Sequence, residues 1–339
     1  MIRVLVVDDS SFMRKSISYI LKTDSAIEVV DTADNGAQAL QKIKDLHPDV
    51  VLLDIAMPTM DGHTALIRIM AECPTPVLIL SGVDIKNMSV VLKSLQFGAV
   101  DYIRKPTGTI SYAIDEIKDE IIAKVHIAAK ANVRKIEPCL AEEAYVLRED
   151  KQAVREKIVI IGASTGGPKA TATVLSDIPH SISAGIVIVQ HMDKVFTALF
   201  AEQLKWECAL DVSEAEDNDI IAPGRVFVAP GGAQTAIEAD GLHKRIKLSN
   251  KAAKLQSIDY TMISAVRVYG KDVVGVLLTG MGSDGAKGLK TIKDAGGSTI
   301  AEDESSCVVF GMPKAAIEMG CVDTVVPLQR IAKTIMRMI

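Results

Sequence analysis

Short apolar runs and amphipathic stretches alternate along most of the chain. Apolar runs fall at 2–7 (IRVLVV), 27–31 (IEVVD), 50–54 (VVLLD), 77–80 (VLIL) and 100–103 (VDYI), with helix-length stretches between them at 11–22, 36–46, 63–72 and 87–97. Continuously apolar strands are those covered on both faces, so the pattern predicts a parallel sheet with helices on either side. Five strand–helix repeats, closed by a fifth helix over 111–130, make one doubly wound domain.

The alternation fades between 128 and 156, where charge rises and Pro138 interrupts. That change of composition reads as a linker. Strands return at 157–161, 185–190, 225–229, 273–279, 297–301 and 322–326, and helices at 167–176, 195–207, 258–269, 283–294 and 328–338. Runs over 210–250 are shorter, and GRVFVAPGG suggests a hairpin rather than a crossover. The expected architecture is α/β throughout. A doubly wound (βα)5 domain spans 1–125, a charged linker 126–155, and a second doubly wound, mainly parallel domain with a β-hairpin 156–339.

Composition narrows the function classes. A length of 339 residues favours two domains. Apolar residues at 48% with aromatics at 4% imply largely aliphatic cores. The 38 basic and 43 acidic residues leave no basic excess for nucleic-acid binding. No apolar run approaches the roughly 20 residues that cross a bilayer, so no membrane insertion is expected. The start, MIRVLVVDDSS, has neither the apolar core nor the cleavage site of a signal peptide, which points to the cytoplasm. Cys73, Cys139, Cys208, Cys307 and Cys321 form no C-x-x-C pair, which suits a reducing compartment and gives no metal-site signal.

In open α/β sheets ligands bind beyond the carboxyl ends of the strands. In the first domain those ends carry Asp8 and Asp9, Asp54, Ser81 and Lys105. Converging carboxylates repel one another, and a hard cation such as Mg2+ relieves this through carboxylates, waters and a backbone carbonyl, here that of Ala56. Asp54 could then attack a phosphoryl group, with the cation and Lys105 neutralising the transferring oxygens and Ser81 hydrogen-bonding the product. Pro106 allows a cis bond that would fix the approach of Lys105. Strand-end acids also serve as solvated caps of the next helix. As a set, VDDS, LLDIAMPTMDG, LILSG and DYIRKP resemble the response-regulator receiver family over about residues 1–120. The resemblance implies that Asp54 is the phosphoacceptor, that Asp8 and Asp9 form the acid pocket, and that Ser81 and Tyr102 are switch residues. Ala56 stands where relatives often carry Glu.

In the second domain EKIVIIGASTGGPKA sets Ser164 on a glycine turn directly after a buried strand. Such a strand–turn–helix exposes a hydroxyl above the sheet and aims a helix N-terminus at it. Helix capping by Ser164 or Thr165 is the plainer alternative. A nucleophilic serine needs a base. His47 precedes a proline, His63 and His126 lie on helices, and His180 and His243 sit in expected loops. Only His191 ends an apolar strand of this domain, one able to lie beside the strand before Ser164. VVGVLLTGMGSDGAKGL supplies an orienting acid, Asp284, after a third strand. Backbone N–H groups at Met281, at Gly282 and in the serine turn could form an oxyanion hole.

The same loop carries a rival. Gly280-x-Gly282-x-x-Gly285 follows a strand and precedes a helix, with Glu302 and Asp303 about 20 residues on, which matches the dinucleotide fingerprint. Asp284 inside that turn would repel a pyrophosphate. A second alternative is a non-catalytic binding module under receiver control.

IGASTGGP, VIVQHM, VFVAPGG, LLTGMGSDGAKGL and FGMPKAAIEMG are similar to the chemotaxis protein-glutamate methylesterase (CheB) family across most of 157–339. The resemblance implies hydrolysis of glutamate γ-methyl esters, and deamidation of glutamines, on chemoreceptor cytoplasmic helices. It implies Ser164 as nucleophile, His191 as general base and Asp284 as its orienter, with Thr165 and Met281 beside them and no cofactor for the esterase. A receptor-coupled histidine kinase would be the phosphodonor, and the unphosphorylated receiver would obstruct the serine cleft. Two departures, QSID for the commoner Pro-Ser-Val-Asp and Ser283 for a frequent Ala, lie off the triad.

Overall fold

The computed structural model describes residues 1–82, 85–105, 117–133, 156–241, 243–249 and 257–339. Pro106, the start of the expected helix 111–130 and the linker residues 134–155 lie outside the described residues. The chain separates into two units, Met1–Ile136 and Glu137–Ile339.

In the first unit β1 (Ile2–Val7), β2 (Ile27–Ala33), β3 (Val50–Asp54), β4 (Val77–Ser81) and β5 (Asp101–Arg104) form one sheet in the order β2-β1-β3-β4-β5. All four pairings are parallel. Every residue of β3 and β4 is buried, as continuous apolar runs require. Helices α1 (Ser11–Leu21), α2 (Gly36–Leu46), α3 (Gly62–Glu72), α4 (Ile85–Gln96) and α5 (Lys118–Ala128) connect or follow the strands. The first three begin on side-chain caps: Ser10, Asn35 and Asp61 each accept a backbone N–H of the first turn. Helix α5 runs past residue 125, and His126 Nε2 lies 2.7 Å from the Asp24 carboxylate.

In the second unit β6 (Lys157–Ala163), β7 (Ala184–Gln190), β8 (Asp211–Glu214), β9 (Arg225–Val228), β12 (Val273–Leu277), β13 (Ser298–Glu302) and β14 (Thr324–Val326) form a parallel sheet in the order β14-β13-β12-β6-β7-β9-β8. A separate antiparallel hairpin pairs β10 (Gln234–Asp240) with β11 (His243–Ser249). Around them lie α6 (Gly167–Ser176), α7 (Lys194–Glu207), α8 (Ile258–Tyr269), α9 (Ala286–Asp294), α10 (Met312–Glu318) and α11 (Leu328–Met338). Among the described residues no helix is long and apolar enough to cross a membrane.

The hairpin lies downstream of where the sequence suggested it. The GRVFV segment is β9, a parallel member of the main sheet between β7 and β8. The connection from β8 to β9 crosses over without a helix, so the usual signal of a crossover is missing. His243 accordingly begins a strand instead of sitting in a loop. Helix α9 starts at Ala286, later than expected, because Gly282 and Gly285 adopt φ of +89° and +92° and hold the chain in a turn. Short α10 and β8 escaped the sequence pattern altogether.

Three central strands, β12, β6 and β7, end side by side. A Cβ on Gly162 would come within 2.5 Å of Ile258 Cγ2, so glycine here lets the start of α8 press against β6. That contact brings the α8 N-terminus to the same edge of the sheet.

Candidate active site

The acidic cluster forms where the strand ends predict it. Asp8 is fully buried after β1, Asp54 is buried at the end of β3, and Asp9 is exposed. One oxygen from each carboxylate lies within 4.8 Å of the others. Lys105 Nζ reaches between them, 2.7 Å from Asp8 Oδ2 and 2.8 Å from Asp54 Oδ1. Its backbone N–H donates to Ser81 at 2.7 Å, which ties the lysine to β4.

Burial pushes the Asp54 carboxyl above its ordinary range, and Lys105 offsets only part of this. Burial also works against the Lys105 charge, but Asp54 and Asp8 outweigh it and raise the ammonium pKa. Three carboxylates facing one ammonium leave negative charge in excess. Oxygen donors with that charge suit a hard divalent cation such as Mg2+. Exposed Ala56 follows Asp54 on the same loop. Ser81 and Tyr102 are both buried on neighbouring strands, with Ile79 opposite Tyr102 and Ser81 opposite Arg104. Ser81 Oγ donates to the Gly82 carbonyl at 3.1 Å, and the Tyr102 ring lies 5.0 Å from Lys124 Nζ.

In the second unit the register of the parallel pair decides the meeting of serine and histidine. Ala163 opposes Gln190, so Ser164 and His191 are the next residues off two adjacent strand ends. The ladder continues one step, as His191 N–H donates to the Ala163 carbonyl at 3.0 Å. On the other side Ser164 N–H donates to the Thr279 carbonyl at 3.0 Å, just after β12. Asp284 returns from the β12 loop to place Oδ2 2.9 Å from His191 Nε2. Among the described residues Ser164 Oγ has no hydrogen-bond partner, so hydroxyl and imidazole stand on adjacent strand ends without a hydrogen bond between them.

The Asp284 carboxylate also sits on the N-terminus of α8. Ile258 N–H donates to Oδ2 at 2.8 Å, Asp259 N–H to Oδ1 at 3.0 Å, and Ser257 Oγ to Oδ1 at 3.2 Å. Burial alone would raise this carboxyl, but the bonds from His191, Asp259 and Ile258 outweigh it and hold it below the ordinary range. An ionised carboxylate only accepts, so Nε2 carries the ring proton and the lone pair rests on Nδ1. Neighbouring Asp259 is raised by burial first, with the Asp284 charge adding to the effect.

Gln190 and Ser257 were not singled out from sequence. Buried Gln190 donates Nε2 to the Ser164 carbonyl at 2.9 Å and pins the serine turn. Ser257 caps α8 while donating to Asp284. A cap signal before an expected helix could have flagged Ser257; nothing local marks Gln190. Buried Thr165 lies on the turn, and Met281 is 52% exposed at the tip of the facing loop. Among the described residues the Met281 and Gly282 N–H groups donate to nothing, whereas Ser164 has spent its own on Thr279. In the serine turn the Gly166 N–H likewise donates to nothing among the described residues.

Two observations weigh against the dinucleotide alternative at Gly280–Gly285 with Glu302 as its acid, while Asp303 stays partly exposed. The Asp284 carboxylate within the Gly280–Gly285 loop is engaged by His191 and the α8 N-terminus, and fully buried Glu302 accepts from Thr279 N–H at 2.8 Å and Ser306 Oγ at 2.9 Å. A ribose-binding acid has to face its ligand.

A family model described as CheB methylesterase matches residues 159–335, and one described as response regulator receiver domain matches 4–114. A protein-glutamate methylesterase/protein-glutamine glutaminase of Pyrococcus abyssi (strain GE5 / Orsay) is 42% identical over 99% of this chain and 93% of its own. One of the same name from Geobacillus kaustophilus (strain HTA426) is 42% identical over 100% of this chain and 99% of its own. The crystal structure of the Thermotoga maritima CheB methylesterase catalytic domain is 40% identical, with a TM-score of 0.53, over 55% of this chain and 100% of that one.

Proposed function

The chain belongs to the CheB methylesterase family, with a response regulator receiver domain ahead of the esterase, and on that premise we propose that it is a phosphorylation-regulated protein-glutamate methylesterase and glutamine deamidase acting on chemoreceptor cytoplasmic helices. The observation that carries the catalytic reading is the His191–Asp284 hydrogen bond on the sheet edge that also bears Ser164.

Ser164 Oγ attacks the γ-carbonyl of a glutamyl methyl ester while His191 Nδ1 takes its proton. Asp284, kept ionised by the α8 N-terminus, holds the ring in that tautomer and stabilises its charged form. The Met281 and Gly282 N–H groups meet the oxyanion. The intermediate collapses, the imidazolium protonates the departing methoxide, and methanol leaves an acyl-enzyme. Water, deprotonated by the same nitrogen, then releases glutamate. With a glutamine substrate the leaving group is ammonia. The hydrogen bond between hydroxyl and imidazole forms with substrate bound, as such bonds often tighten only then.

Asp54 takes the phosphoryl group from a receptor-coupled histidine kinase. Asp8, Asp9, Asp54 and the Ala56 carbonyl would hold Mg2+, which when bound would supply charge neutralisation on the transferring oxygens. Lys105 adds to that neutralisation, and Ser81 and Tyr102 respond to the product. The chain divides into a receiver over 1–125, a linker over 126–155 and an esterase over 156–339, all in the cytoplasm.

Methanol released from methylated receptor decides the catalytic reading. Wild type is expected to release it and Ser164→Ala to lose at least about 10³-fold in rate. Undiminished release by the variant removes Ser164 as nucleophile, and no release by either protein favours the binding module.

A further inference from the structure

One buried carboxylate stands behind the serine turn and takes no part in the chemistry above. Glu302 ends β13, is fully buried, and among the described residues forms no ion pair. An unpaired buried carboxylate is costly and persists only where hydrogen bonds offset the loss of water. Its Oε2 accepts the Thr279 N–H at 2.8 Å and its Oε1 the Ser306 hydroxyl at 2.9 Å. Ser306 Oγ in turn accepts the N–H of Leu328, at the start of α11, at 3.0 Å.

Thr279 is the more connected of the pair. It is 1% exposed and lies immediately before the Gly280–Asp284 loop. Its carbonyl accepts the Ser164 N–H at 3.0 Å. Its hydroxyl donates to the Thr165 carbonyl at 3.0 Å and accepts the Val309 N–H at 2.9 Å. Gly280 N–H then donates to the Val309 carbonyl at 3.0 Å, and the Gly280 carbonyl accepts from Gly311 and Met312 at 3.1 and 2.8 Å. One threonine therefore ties the serine turn, the loop that carries Met281 and Asp284, and the segment before α10 into a single frame.

We propose that Glu302 and Thr279 act as positioning residues for Ser164: the Glu302 carboxylate anchors the Thr279 amide, and Thr279 sets the serine turn against the Met281–Asp284 loop. The proposal rests on Ser164 being the nucleophile. The physical reason is geometric. Neither side chain touches substrate, but a shift of the serine turn by about 1 Å relative to the oxyanion donors is enough to cost on the order of 10²-fold.

The test uses the full chain and a fluorophosphonate that labels activated serines. Labelling amplitude counts competent sites, and the rate constant reports reactivity per site. Methanol release supplies kcat and KM. Thr279→Val keeps the shape and removes the hydroxyl. It is expected to lower kcat and the per-site labelling rate about tenfold to a hundredfold, with KM nearly unchanged. Thr279→Ser is expected to restore both to within about threefold, because the hydroxyl returns. Glu302→Ala should lower the same two rates, and Glu302→Gln, whose carbonyl still accepts the Thr279 amide, should recover most of the loss.

A merely structural role would lower amplitude and leave the per-site rate at its wild-type value, which overturns the proposal; so would failure of Thr279→Ser and Glu302→Gln to restore it. Should Thr279→Val not fold, the Glu302→Ala and Glu302→Gln pair decides by the same per-site rate. Failure of the serine assignment itself looks different: Ser164→Ala would then keep releasing methanol, and wild type would take no label at Ser164.

Discussion

In the amino-terminal unit three carboxylates and one lysine gather beyond the strand ends, and burial raises the Asp54 carboxyl. In the carboxy-terminal unit Asp284, on the loop after β12 and beside Asp259, lies below its ordinary range. The difference is in what surrounds each acid. Asp54 faces other acids and leans on Lys105, whereas Asp284 accepts from His191, Ser257 and the first amides of α8. The first site gathers negative charge in excess around one ammonium. In the second the carboxylate is satisfied by hydrogen bonds from its own surroundings. Parallel α/β sheets place side chains at the same edge in both cases, and local donors then decide which chemistry the edge supports.

The comparison breaks most sharply at Asp54. Asp54→Asn should abolish acid-labile phosphoryl uptake from a small phosphodonor, while the unphosphorylated protein keeps its basal methanol release. Retention of label would move the phosphoacceptor elsewhere. Asp284→Asn is expected to lower kcat by about 10³–10⁴-fold with the fold intact, because the amide no longer selects the His191 tautomer. A loss below tenfold would demote Asp284 to a structural cap.

Lys105→Met strips the acid cluster of its counter-charge and should destabilise the first unit by about 3 kcal/mol, read from urea denaturation. Added Mg2+ should recover part of that loss by binding the folded state, and it should do nothing for the thermal midpoint of the second unit.

Opposite pKa directions give opposite acid limbs. The Asp284 contribution is present above its ordinary value of 3.8 and is lost as pH falls through the depressed folded value. Asp54, raised from the same 3.8, contributes below that value and loses its contribution as pH climbs through the raised one. Stability against pH should therefore flatten on the acid side in Asp284→Asn, and rise near neutrality in Asp54→Asn. The smallest expected effect is Ser257→Ala, at about 1 kcal/mol for the lost cap and a few-fold in kcat. A far larger fall in kcat would place Ser257 alongside Asp284 in holding the base.

The amino-terminal acid–lysine cluster was legible because each of its residues follows its strand directly: Asp8 after β1, Asp54 at the end of β3, Lys105 after β5. The His191 and Ser164 positions were legible for the same reason. Misreading began where elements depart from strand–helix alternation. The β8–β9 crossover has no helix, so GRVFV passed for half a hairpin. Gln190 and Thr279 escaped, and Glu302 was read only as the acid of a dinucleotide fingerprint, for a different reason. They act through backbone amides and carbonyls of residues distant in the chain, and a main-chain partner leaves no mark on side-chain type or spacing.

Hydrophobic periodicity and strand-end chemistry by themselves determined two α/β units and the residues at their sheet edges, because apolar burial and parallel pairing are written in residue order. Tertiary structure decided that Asp284 would be ionised, that His191 would hold its proton on Nε2, and that Glu302 would be sealed inside. Those outcomes depend on which amides converge on a carboxylate, and convergence is a property of packed strands and helix ends.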